Sequence, residues 1–356
     1  MFTPETFRAI VSGDRRGLTA AGARIVLSLG ELGYRAAIRL RNRRYDEGRA
    51  EVYRVEVPVI SVGNLTLGGT GKTPMVAWLA RWFRARQVRV SLISRGYGAR
   101  TARGNDELKE LAERLPDVPH LQDPDRRAAA RVAIDELETQ LIILDDGFQH
   151  RRIGRDLDIV LVDATEPFGY ERVFPRGMLR EPITSLRRAD VVALTRCNLV
   201  SATARAALQQ RLQTIAPQAI LVDVEQRPQA LLTASGLERP LDQLPHGPVL
   251  AFCGIGNPGA FRRTLEQLGW PLENLRVFPD HHPYDPATMT ELARWVADHP
   301  RAGSAVCTHK DLVKIGVDRL GALPLFALTL ELQVGAGRAS LEAKLQRLLP
   351  QVASPS

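Results

Sequence analysis

The stretch that most restricts this chain is Val57-Pro-Val-Ile-Ser-Val-Gly-Asn-Leu-Thr-Leu-Gly-Gly-Thr-Gly-Lys-Thr-Pro74. Residues 57–62 form an apolar run of the kind found in buried parallel strands, and the run leads directly into a glycine-rich loop. Gly68, Gly69 and Gly71, with Thr70 among them, let backbone N–H groups converge without interference from Cβ atoms. Lys72 and Thr73 close the loop, and Pro74 suits the first turn of a helix, where a missing N–H costs nothing. A strand, a glycine loop, Gly-Lys-Thr and a helix in this order make a phosphate cradle at a helix N-terminus. Lys72 would reach the β- and γ-phosphates of ATP, and Thr73 would bind Mg²⁺. Thr66 stands where the strict motif has glycine, so the loop is a variant of the GGTGKT type.

The surrounding pattern agrees with this start. Strands are predicted at residues 57–62, 88–94, 141–144, 158–162, 190–195 and 219–224, with helices at 74–86 and 125–137. Such alternation implies a mostly parallel sheet covered on both faces. A proline-bearing segment at 226–247 reads as a linker. A second alternation follows, with strands at 249–253, 275–278, 304–308 and 325–332 and helices at 260–268, 286–297 and 340–349. The expected fold is therefore α/β: a P-loop NTPase-type domain at 51–225, the linker, and a smaller α/β domain at 248–356.

Residues 1–50 stand apart. They carry ten arginines against five acidic residues, so +5 of the chain's net +8 lies there. Residues 20–44 show helical spacing of Ile25, Leu29, Leu32 and Ala36, with Gly30 and Gly33 as candidate breaks and arginines around the stripe. Such a helix can lie in a headgroup plane with its cations on lipid phosphates. A helix packed on its own domain is the competing reading. Arginine outnumbers lysine 43 to 5, which makes Lys72, Lys109, Lys310, Lys314 and Lys344 noticeable. Cys197, Cys253 and Cys307 form no CxxC pair and read as buried thiols rather than a disulfide or zinc framework. No apolar run is long enough to span a bilayer as a helix.

Further chemistry sits at Leu141-Ile-Ile-Leu-Asp-Asp146, an apolar strand ending in carboxylates that can hold Mg²⁺. Because a strand alternates its faces, only one of Asp145 and Asp146 can aim squarely at a metal. Gln149, His150 and Arg151 follow at the carboxyl edge of the sheet, where open α/β folds bind ligands. Gly254-Ile-Gly-Asn-Pro-Gly259 is a literal GxGxxG, with Asp280 roughly where a ribose-binding acid would stand. A dinucleotide reading is disfavoured because Pro258 removes an N–H donor and a complete phosphate loop already lies upstream.

Taken in order, Ser61 to Pro74, Ser94-Arg-Gly-Tyr-Gly98, Asp145-Asp-Gly-Phe-Gln-His-Arg151, Arg155-Asp156, Gly177-Met-Leu-Arg-Glu-Pro182, Gly254 to Pro258, Asp280-His-His282 and Thr308-His-Lys-Asp311 resemble the tetraacyldisaccharide 4'-kinase family. The matches run from about residue 57 to 315 in consistent order. The resemblance implies ATP and Mg²⁺ as cofactors. It implies transfer of the γ-phosphoryl group to the 4'-hydroxyl of a lipid A disaccharide 1-phosphate, giving lipid IVA in lipopolysaccharide synthesis. It also implies a peripheral protein on the cytoplasmic face of a bacterial inner membrane, an anionic surface. Neither a nucleic acid nor an obligate protein partner is expected.

By the same resemblance Asp106 is the base for the sugar hydroxyl, with Glu107 beside it as a metal ligand alongside Thr73, Asp145 and Asp146. Gly104-Asn-Asp-Glu-Leu108 departs from the Gly-Asp-Glu-Pro of many relatives, which loosens the local register. His281 resembles a histidine that assists the base, and Gln149 is expected at the nucleotide. Arg180 is a candidate clamp on the transferring phosphoryl group, and Lys310 a candidate for phosphate. Two rivals remain on sequence grounds: a membrane-recruited ATPase switch without a phosphoryl acceptor, and a soluble small-molecule kinase.

Overall fold

The computed structural model describes residues 4–96, 106–280 and 282–350, with side chains left aside at 4, 5 and 106–109. Two short-linked helices come first, α1 (Pro4–Ser12) and α2 (Leu18–Asp46). Then follow β1 (Val59–Asn64), α3 (Lys72–Arg84), β2 (Val90–Ser94), α4 (Asp106–Arg114), β3 (His120–Gln122), α5 (Arg126–Asp135), β4 (Leu141–Asp145), β5 (Leu157–Asp163), β6 (Val191–Thr195), α6 (Ala202–Ile215) and β7 (Ile220–Leu232). The remainder is β8 (Glu238–Arg239), β9 (Val249–Cys253), α7 (Pro258–Gln267), β10 (Leu272–Val277), α8 (Pro286–Ala297), β11 (Ser304–Thr308), α9 (His309–Ile315), β12 (Arg319–Leu320), β13 (Leu323–Val334) and α10 (Arg338–Gln346).

The chain divides into two compact units. The first takes the chain up to Arg95, Val118–Val224 and the chain from Val334; the second takes Gly96–Asp117 and Glu225–Gln333. The first unit holds strands in the order β7-β6-β5-β1-β4-β2-β3, every neighbouring pair parallel. All residues of β1, β4, β5 and β6 are buried, as expected of strands covered on both faces. One face packs Ala129, Ala130 and Ala133 of α5 against Val59, Ile93, Ile142 and Leu144. The other packs Val160, Val162, Val192 and Leu194 with Leu212 of α6 and Ile38 of α2. α3 buries Val76, Leu79, Ala80 and Phe83, the face that its helical spacing predicts. In the second unit β10, β9, β11 and β13 run parallel in that order around Leu250, Phe252, Ala305 and Leu325.

The structure departs from the sequence reading in several places. The linker expected at 226–247 begins as strand, because β7 runs on to Leu232 and pairs with β8. The final helix, expected with the second domain, belongs to the first unit. Leu341 and Leu345 of α10 are buried there, and Lys344 Nζ donates to Asp190 at 3.4 Å. α2 does not break at Gly30 or Gly33. A mid-helix glycine costs about 1 kcal/mol, but a Cβ at Gly30 would stand 3.0 Å from Pro175 Cγ, so that glycine permits a close contact. No helix among the described residues is long and apolar enough to cross a membrane.

Candidate active site

β1 delivers the chain into the glycine loop, and the loop is held from behind. Asn64, fully buried, donates its Nδ2 to the Thr66 carbonyl at 2.9 Å. Thr195, the last residue of β6, donates Oγ1 to the Thr70 carbonyl at 2.9 Å, and Arg196 Nη2 donates to the Gly69 carbonyl at 3.0 Å. Arg196 is itself fixed by Asp163 at the end of β5. These bonds engage three of the loop's carbonyls, which suits a turn whose N–H groups converge on an anion. Gly68 and Gly71 adopt φ of 117° and 89°, a region costly for any residue with a Cβ. Gly71 then caps α3, so Lys72 and Thr73 begin the helix at its electropositive end.

Lys72, Asp146 and Arg180 meet at the mouth of this loop. Lys72 Nζ donates to Asn64 Oδ1 at 3.3 Å and lies 3.5 Å from Asp146 Oδ1. Arg180 Nη1 donates to Asp146 Oδ2 at 2.7 Å. Asp146 manages this by leaving the strand: β4 ends at Asp145, and Asp146 turns into left-handed backbone with φ 52°. Arg126, buried on α5, donates to both the Asp145 and Asp146 carbonyls at 3.3 Å and steadies that turn. Burial raises the Asp146 pKa, but Lys72 and Arg180 outweigh it and hold the carboxyl down to about 2. Asp145 stays in the sheet, 4% exposed, next to Val62 of β1. Gln149 Nε2 donates to the Asn64 carbonyl at 2.8 Å, so it braces the strand that feeds the loop. His150 is lowered to about 4 by burial and by Arg126 and Arg155, and it is neutral near pH 7. Arg155 holds this segment by donating to the Phe148 carbonyl at 2.9 Å.

A strap at residues 172–181 brings Arg180 in, and α2 holds it at both ends. Glu31, 2% exposed, accepts from the Val173 N–H at 3.0 Å, and Tyr34 packs edge-on to Phe174 at 5.9 Å. At the other end Glu181, fully buried, accepts from Arg41 at 2.7 Å, Asn42 at 3.0 Å and Arg188 at 2.9 Å. Between these anchors the strap bonds to the loop's first half: Leu67 N–H donates to the Met178 carbonyl and Arg180 N–H to the Leu65 carbonyl, each at 2.7 Å. Sequence reasoning did not find Asn64, Thr195, Arg196, Asp163, Arg126 or Glu181. The usable signal for Asn64, Asp163 and Thr195 was a polar residue at the carboxyl end of an apolar strand; Glu181 carried none beyond its adjacency to Arg180.

Other expected residues fall elsewhere or outside the description. His281 lies outside the described residues. Asp106 and Glu107 begin α4, with their side chains outside the described residues, and Thr73 stands in the first turn of α3. In the second unit Lys310 Nζ pairs with Asp280 at 3.0 Å, so the acid of the GxGxxG reading is engaged by a lysine. The Gly254 N–H donates to buried Asp311 at 3.1 Å, and Asn257 caps α7. The turn's first N–H is thus spent within its own unit.

The sequence profile of the tetraacyldisaccharide-1-P 4'-kinases matches residues 23–350. The chain belongs to this family. A tetraacyldisaccharide 4'-kinase of Anaeromyxobacter sp. (strain K) is 38% identical, covering 96% of this chain and 95% of that one. The enzyme of the same name from Geobacter sulfurreducens is 36% identical, covering 96% and 98%. Among solved structures, LpxK of Aquifex aeolicus in complex with ATP superposes with a TM-score of 0.71 at 30% identity, over 92% of this chain and all of that one. The 4'-kinase fold therefore extends across both units.

Proposed function

We propose that this chain transfers the γ-phosphoryl group of ATP to the 4'-hydroxyl of tetraacyldisaccharide 1-phosphate, at the surface of an anionic membrane. The observation that carries the reading is the meeting of Lys72, Asp146 and Arg180 at a glycine loop in a chain of the 4'-kinase family. A solved relative is described in complex with ATP. The glycine loop offers N–H donors to the β- and γ-phosphates, and Lys72 and Arg180 supply the positive charge that such a transfer needs. Thr73, Asp145 and Asp146 would hold Mg²⁺. They are hard oxygen donors, and this ion takes one or two carboxylates together with waters and phosphate oxygens. Bound Mg²⁺ would neutralise charge on the phosphate oxygens. Asp106, carried at the start of α4, takes the proton from the weakly acidic 4'-hydroxyl, with His281 assisting.

The membrane part of the reading is supported by the two faces of α2. Ile25, Val26, Leu29, Leu32 and Leu40 are 63–68% exposed, whereas Ala20, Glu31 and Ile38 are buried on the first unit. At 3.6 residues per turn the buried set lies roughly opposite the exposed one. The helix thus packs on its own domain through one face and leaves an aliphatic stripe outward. Arg39, Arg43 and Arg44 stand near that stripe, suited to lipid phosphates.

The test is transfer of labelled phosphate from ATP to the lipid disaccharide in mixed micelles. The wild-type chain should label the lipid, and Lys72→Ala should nearly abolish labelling. ADP release at full rate without the lipid acceptor, and no labelled lipid, would instead make the protein an ATPase switch.

A further inference from the structure

α1 precedes the residues matched to the 4'-kinase profile, which begin at 23. It is nonetheless fixed on the first unit. Ile10 and Val11 are each 3% exposed, Arg176 Nη1 donates to the Val11 carbonyl at 3.0 Å, and the Phe7 ring packs against Phe174 at 6.4 Å. Both Arg176 and Phe174 belong to the strap that carries Arg180. This docking sets the face of α1 that bears Arg8 toward the glycine loop. Arg8 Nη2 lies 3.8 Å from the point where a Cβ on Gly68 would stand. Gly68, with φ 117°, is the turning point of the loop, three residues ahead of Gly71, and that part of a phosphate loop lies against the outer phosphates.

Lys72 and Arg180 both pair with the Asp146 carboxylate, which offsets part of their positive charge at the loop mouth. A nucleoside triphosphate brings several negative charges, and an arginine placed at the outermost phosphate contributes where charge is greatest. We propose that Arg8 is a further phosphate-binding residue: its guanidinium contacts the outermost phosphate of the bound nucleoside triphosphate, supplied in cis by a helix outside the profile match. The inference rests on the kinase reading, and its test separates the two.

The experiment measures the affinity of the full chain for a non-hydrolysable ATP analogue and for ADP, both with Mg²⁺, in the wild type, Arg8→Ala and Arg8→Lys. A charge-assisted contact to the third phosphate alone predicts that Arg8→Ala weakens the analogue ~10-fold or more and leaves ADP within ~2-fold. Arg8→Lys should recover part of the loss, since it keeps the charge without the planar fork. Equal weakening of both nucleotides would mean that the substitution only loosens the loop, and unchanged affinity for both would mean that Arg8 touches neither; either result overturns the proposal. If the wild type binds no triphosphate, the kinase reading fails first, and this inference fails with it. Should Arg8→Ala unfold, the analogue-to-ADP ratio in Arg8→Lys still decides.

Discussion

Glu181 offers a test of how the site is held. Its carboxylate is fully buried and accepts from Arg41 and Asn42 of α2 and from Arg188, at 2.7 to 3.0 Å. Glu181→Gln keeps the shape but leaves two guanidinium groups facing a neutral amide. Removing one member of a buried charge pair costs ~3–5 kcal/mol. Arg41 is 43% exposed and Arg188 20%, so water reclaims part of both cations. The expected loss is therefore about 2–3 kcal/mol. At ~2–4 °C per kcal/mol for domains of this size, the thermal midpoint followed by circular dichroism should fall by roughly 4–12 °C. Because Arg180 is the adjacent residue, kcat on the lipid should also fall by about tenfold through misplacement of its guanidinium.

The pH dependence gives a second readout from the same substitution. Burial raises the Glu181 pKa, Arg188 and Arg41 lower it further than that, and the net shift is downward. Its stabilisation is thus complete above the ordinary glutamate range near ~4.3 and is lost as the pH falls through the lower folded-state value. The glutamine variant should lack that share of the acid destabilisation. A midpoint within about 1 °C of wild type at pH 7, with an unchanged acid limb, would refute the view that this carboxylate binds α2 to the strap.

Other expectations follow from the proposed mechanism. Asp106→Ala should lower kcat by ~10²-fold or more while ATP analogue affinity is retained; a normal kcat would remove Asp106 as the base. Replacing Leu29 and Leu32 together by glutamate should abolish sedimentation with anionic vesicles and spare thermal stability, since both side chains point away from the first unit. Unchanged vesicle binding would dismiss the stripe as the docking face.

Much of the fold was legible because parallel strands buried on both faces are written as unbroken apolar runs. Val249–Cys253 and Ser304–Thr308 appear in the structure with the limits expected from sequence. α6 was missed although Leu208, Leu212 and Ile215 recur at helical spacing and pack on the core, because only Leu212 is fully buried and the rest of the helix is alanine or polar. α1 was missed because it is short and owes its place to contacts with Phe174 and Arg176, distant in sequence. The glycine loop and Asp145-Asp146 could be read directly, since their chemistry is local. The left-handed turn that sends Asp146 rather than Asp145 toward Lys72 could not be read, because it depends on Arg126 gripping two carbonyls from another element. Glu181 was hidden for a related reason: two of its partners, Arg41 and Asn42, lie some 140 positions earlier.

These long-range contacts give α2 a double duty that the stripe alone would not suggest. Five aliphatic side chains left about two-thirds exposed represent, at ~1.5–3 kcal/mol for full burial of each, several kcal/mol available to a lipid surface. The opposite face spends Glu31, Arg41 and Asn42 on the strap that runs beside Leu65 and Leu67 and carries Arg180. A helix that served only as an anchor could be joined to its domain by any apolar face. Here the join is made through buried carboxylates with directional partners, which tolerate little rotation or sliding. The proposed lipid face and the phosphate site are therefore fixed to opposite sides of one rigid element. On the proposed docking, such an element would set the height of Arg180 and the glycine loop above the bilayer, where a lipid-borne hydroxyl has to arrive.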